Sequence, residues 1–175
     1  MNAEIFIAEL RDLAPAREEL EEYGLDETEI DSIQSCFLAE QRQLNSPGTV
    51  KSELNSLLEH FSCDSIEIAG VIFNASVATL PQGEHFASLE ADPLVIEPCG
   101  TIAWFDHAST DSDFHRKVCA ENGGAFLEAM IFVATVWRNK RLWKDRMDEA
   151  VSRCVVASNS PESQDFYATL LAGMR

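Results

Sequence analysis

The stretch PLVIEPCGTIAWFDH, residues 93–107, constrains the fold of this chain more than any other. Two short apolar runs flank Glu97-Pro98-Cys99-Gly100, where Pro98 suits the second position of a turn and Gly100 the fourth. Residues 94–105 are therefore predicted to form a β-hairpin, which makes this part of the sheet antiparallel. The second run stops at Asp106-His107 and passes into the polar ASTDSDF. Those two residues either open an active site or mark the point where a strand leaves the sheet.

The flanking sequence has a different period. AEIFIAELRDL reads as a helix, and Pro15 suits the first turn of a second one through REELEEY, which Gly24 can end. In DETEIDSIQSCFL, Asp26 precedes Glu29 by three residues, a capping-box pattern, with Ile30, Ile33, Phe37 and Leu38 on one face. After a break at NSPG (45–48), Val50, Leu54, Leu57, Leu58 and Phe61 recur at amphipathic helical spacing. SIEIAGVIF then alternates and turns continuously apolar, as a strand entering a sheet interior does. HFASLEA and PLVIE are further short strands. Helical spacing returns at Phe126, Met130, Val133, Ala134 and Trp137 behind Asn122 as N-cap. A last helix starts at SPES, with Ser160 as cap and Pro161 at its first position. The order predicts an α+β fold: N-terminal helices, a central, mostly antiparallel sheet, and C-terminal helices packed on the sheet. Residues 1–175 form a single domain in this reading, with a core over 25–138 and a helical C-terminal extension over 139–175. Because AFLEAMIFVATVW is apolar on nearly all sides, residues 160–172 are expected to fold back on it, with any uncovered remainder a homodimer contact.

Charge narrows the partners. The formal net charge is −17: residues 1–64 carry 15 acidic and 4 basic side chains, residues 65–113 carry 8 acidic and no Lys or Arg, and residues 114–175 carry 7 and 9. Such a field repels phosphate backbones and anionic lipid, so neither nucleic acid nor membrane is expected as a partner, whereas a basic protein is. No secretion signal or membrane span is visible, and the five scattered cysteines show no Cys-x-x-Cys pair. They read as reduced, mostly buried thiols of a cytoplasmic protein.

Catalytic patterns find little support. Asp106, His107, Asp111, Asp113 and His115 lie close together, yet they lack the glycine and distal glutamate of a calcium loop and the helical His spacing of a zinc site. A solvated turn-forming loop is the favoured reading. Gly-x-Ser-x-Gly, a phosphate-cradling loop and His-Glu-x-x-His are all missing. ENGGAF reads as a plain helix start. The basic WRNKRLWKDR is expected to pack against the chain's own acidic helices or a second copy. No catalytic residue, cofactor or metal is expected, and the chain is read as a non-enzyme.

The segment ADPLVIEPCGTIAWFDH followed by CAENGGAFLEAM resembles the signature of the SUKH superfamily, the Smi/Knr-like domains of bacterial immunity proteins and fungal cell-wall regulators. The matching elements are Leu94–Ile96, Thr101–Phe105 with Asp106-His107, and Phe126-Leu127, and SIEIAGVIF is similar to that family's first sheet strand. As a divergent member, the chain would carry a SUKH-like sheet packed on helices and no catalytic residues. The resemblance implies an immunity protein that binds and neutralises a bacterial toxin, a class that includes basic nucleases. The alternative is a scaffold or regulatory interaction domain in cell-envelope or other assembly. Partner contact is expected at Glu84, Trp104, Asp106, His107, Asp111 and Asp113.

Overall fold

The computed structural model describes residues 1–42, 52–106 and 115–173. Four helices come first: α1 (Ala3–Asp12), α2 (Arg17–Glu22), α3 (Glu27–Ser35) and α4 (Glu53–His60). Side chains cap α1, α3 and α4: Asn2 accepts from the Ile5 N–H, Ser52 from the Asn55 N–H, and Asp26 and Glu29 form the expected capping box. Helix α2 is capped by Ala16, so Pro15 stands just before the cap rather than in the first turn. The predicted face of α3 also ends early. Ile30 is buried, but the helix stops at Ser35 and Leu38 beyond it is exposed. Phe61 leaves the α4 face as well, since it belongs to strand β2 (Phe61–Ser62), which pairs with β1 (Glu40–Gln41). NSPG at 45–48 and Val50 lie outside the described residues.

The central sheet is a six-stranded meander in sequence order, every neighbour antiparallel, coiled into a half-barrel. Its strands are β3 (Glu67–Ile68), β4 (Val71–Leu80), β5 (Gly83–Leu89), β6 (Asp92–Ile96), β7 (Ile102–Asp106) and β8 (His115–Ala120). The predicted hairpin is present as β6–β7. Gly100 N–H donates to the Glu97 carbonyl at 2.8 Å across its turn. Two features depart from the sequence reading. SIEIAGVIF is not one strand, because Ala69 (φ 55°) and Gly70 (φ 82°) reverse the chain between β3 and β4. Strand β8 follows the polar loop where helical spacing alone was expected.

After the sheet come α5 (Gly123–Arg138), α6 (Lys140–Trp143), α7 (Met147–Ala157), a 3-10 turn (Pro161–Ser163) and α8 (Gln164–Ala172). Asn122 caps α5 through the Ala125 N–H. The glycines of ENGGAF serve close packing, since a Cβ on Gly124 would stand 3.0 Å from the Met1 carbonyl oxygen. Ser160 does precede Pro161, yet its side chain makes no capping hydrogen bond. Burial on nearly all sides of α5 is met by α1, α4 and α7, while α8 folds back to lie against β8 and Phe126. One series of ring contacts runs through the core, Phe6–Phe73–Phe86–Phe126–Phe166–Tyr167, with centroids 5.1–6.5 Å apart. That range is favourable for aromatic pairs and joins helices from both ends of the chain to one sheet. Among the described residues, no helix is long and apolar enough to cross a membrane.

Candidate protein-docking site

The meander sends its hairpin tips to two opposite ends. Val71 pairs with Leu89, so the β3–β4 tip at Ala69-Gly70 lies beside the β5–β6 tip at Glu90-Ala91. Strand β7 finishes at the same end with Asp106, paired with His115. Both tips contain a non-glycine residue in the left-handed region, Ala69 and Glu90, each at φ 55°. Such a residue costs on the order of 1–2 kcal/mol unless its surroundings hold it there.

Two hollows flank this end. The first, about 320 Å³, lies between α2, α3, β3 and α5 and is lined by Leu20, Tyr23, Ile33, Phe37, Ile68 and Trp137 among others. The second, about 410 Å³, lies between the hairpin tips, α5 and the end of α8, with Gly70, Leu89, Glu90, Trp104, Thr169 and Leu170 in its wall. Glu67, Ala69 and Trp137 border both. Trp137 and Tyr23 are exposed at 38% and 68%, so aromatic surface faces outward here. On the rim, Arg138 donates to both Glu19 oxygens, at 2.8 Å through Nη1, and ties α5 to acidic α2. The remaining rim carboxylates, Glu67 and Glu90, are exposed and form no ion pair among the described residues. Burial, and then the Glu67 charge, push the Cys36 thiol above its ordinary value. The arrangement gives apolar cover beside unneutralised negative charge.

The six residues expected to contact a partner are distributed over the sheet. Trp104 sits opposite Leu94 and Lys117 on the core side, with its ring 6.1 Å from Phe166 and the Lys117 ammonium 4.9 Å from its centroid. Its indole Nε1 is buried without a hydrogen-bond partner, while the ring borders the second hollow. Asp106 ends β7 at the same end as the Ala69-Gly70 and Glu90-Ala91 tips. Glu84 is at the other end: its register runs through Ile96 to Ile102, four residues along β7 from Asp106, about 13 Å in the strand direction. There Glu84 accepts from Asn55 Nδ2 at 2.8 Å and fastens β5 to α4. His107, Asp111 and Asp113 lie outside the described residues.

Sequence reasoning assigned Trp137 to a buried helix face and passed over Glu67, Glu90 and Tyr23. The missed signal was Ala69-Gly70 between apolar Ile68 and Val71, which reads as a two-residue hairpin turn. Of the basic run, Arg138 reaches an acidic helix and Arg146 pairs with Glu149. Lys140, Arg141 and Lys144 make no ion pair among the described residues. Among the described residues no group of three or more His, Cys, Asp or Glu side chains is arranged to hold a metal ion. No protein-family model, curated protein or solved structure matches the chain.

Proposed function

We propose that the chain is a non-enzymatic protein-binding domain, a divergent SUKH-type immunity protein that binds and neutralises a basic, nuclease-type toxin in the cytoplasm. The observation that carries this reading is the acid-rimmed aromatic surface at the docking end, in a chain without Lys or Arg from residue 65 to 113. Exposed Trp and Tyr beside apolar hollows supply desolvated contact area, which dominates binding energy at interfaces. The negative field speeds encounter with a basic partner and disfavours acidic ones. The hairpin resemblance supplies the toxin-neutralising role in this reading.

Co-expression with a candidate toxin encoded beside the gene for this chain tests the proposal. The expected result is rescue of growth and a stable complex that weakens as salt rises. Failure of both rescue and complex formation refutes the immunity role. A stable complex with a housekeeping assembly protein, without rescue, favours the scaffold alternative.

A further inference from the structure

The chain has three tryptophans, and two of them carry a cation supplied by the chain itself. Lys117 stands 4.9 Å from the Trp104 ring centroid. Arg146 and Arg153 stand 4.8 Å and 5.5 Å from that of Trp143. Trp137, the most exposed of the three, has no cation over its ring among the described residues. Its neighbour Arg138 is held by Glu19. Yet Trp137 borders both hollows together with Glu67, and the second also with Glu90. Trp137, 38% exposed, thus lines one hollow with two exposed carboxylates that form no ion pair among the described residues.

We infer that Trp137, Glu67 and Glu90 form a recognition site for an arginine side chain of a basic partner protein, a step that rests on the protein-binding reading. The guanidinium lies on the indole and its edges meet the carboxylates, while an apolar neighbour of that arginine enters the 320 Å³ hollow. Arginine fits better than lysine. Its planar, weakly hydrated head stacks on an aromatic face and still presents donors at its edge, whereas an ammonium is a strongly hydrated point charge. Trp143 already holds arginines in this way within the chain.

The test is a titration of the full chain with the blocked peptide acetyl-Leu-Arg-Leu-Arg-Leu-amide, reading the three indole N–H resonances by NMR at low salt. Trp137→Phe assigns the relevant peak. The expected result is a saturable shift of the Trp137 resonance, with that of Trp143, which lines neither hollow, unmoved. The peptide with citrulline in place of arginine should cause no shift. A Glu67→Gln/Glu90→Gln double variant should bind about tenfold more weakly with its Trp104 and Trp143 resonances unchanged, which reports an intact fold. A stationary Trp137 peak, or equal binding of the citrulline peptide, overturns the inference. Sedimentation at the same concentrations covers self-occupancy: a dimer that the peptide dissociates means the basic segment 138–146 of a second copy fills the site, which also overturns it. If a basic partner found by co-expression binds the double variant as tightly as the wild type, the arginine site fails and the protein-binding reading stands. If the peptide behaves as expected and no basic protein binds, the converse holds.

Discussion

The Tyr167 hydroxyl donates to the Cys119 carbonyl at 2.9 Å, joining α8 to the outermost strand of the sheet. Cys119 is the extra residue of a bulge: Val118 faces Ala103 and Ala120 faces Ile102, leaving Cys119 without an opposite partner. Its carbonyl is buried with it, so loss of the phenol would strand an acceptor. Tyr167→Phe should therefore lower stability by about 1–2 kcal/mol, seen as a lower urea midpoint with unchanged m-value. An unchanged midpoint would mean that water replaces the hydroxyl.

The same edge explains why the C-terminus is required. The Glu121 N–H donates to the Ser158 carbonyl at 3.0 Å, and Phe166 packs against both Trp104 and Phe126. Deleting residues 158–175 uncovers an edge strand and several core rings together. The expected outcome is aggregation or a large fall in melting temperature. A truncated chain that stays soluble, monomeric and equally stable would contradict this packing.

Ala69 holds a left-handed conformation that glycine adopts freely. Ala69→Gly should raise stability by about 0.5–1 kcal/mol, the relief of strain exceeding the added freedom of the unfolded chain. Partner affinity should fall in the same variant, because a looser tip sets Glu67 and Trp137 less firmly. Thermal denaturation and titration with the partner read the two effects separately.

The cysteines divide by environment. Burial pushes the Cys63 and Cys154 thiols up to about 12 and Cys119 well above its ordinary value, whereas hydrogen bonding with Thr101 lowers the value of exposed Cys99. Iodoacetamide at pH 8 should label Cys99 first and leave those three intact until the chain unfolds. The raised thiols also set a direction for pH. Unfolded thiols ionise near about 8.5 while the folded ones stay protonated, so their contribution is complete below that pH and declines as pH rises toward about 12. Each can remove up to about 1.4 kcal/mol per pH unit over that window. Urea midpoints measured from pH 8 to 10 should fall, and less steeply in a Cys63→Ala/Cys154→Ala variant. A flat profile would contradict the burial of these thiols.

Much of the architecture was legible because local signals agreed with the tertiary outcome. Asp26-Glu29, Asn122 and Pro98-Gly100 act through nearby backbone, so their effects survive folding unchanged. Features that depend on distant contacts were not. Strand β8 carries Arg116 and Lys117, which suit a solvent loop until Glu97 accepts both guanidinium donors of Arg116 at 2.7 Å and Trp104 receives Lys117. Glu84 was expected at a partner contact because Asn55, which it accepts from, lies 29 residues away in sequence. The proposed docking end was hidden for the same reason: Tyr23, Glu67, Glu90 and Trp137 come to border two adjoining hollows only after the meander and α5 have packed.

Amide hydrogen exchange on a complex with the proposed basic partner tests the central claim most directly. Binding at the docking end should slow exchange over residues 66–73, 88–92 and 133–138 and leave the opposite tips, near 81–84 and 97–101, unchanged. Protection confined to those opposite tips, or none beyond the free chain, would contradict it.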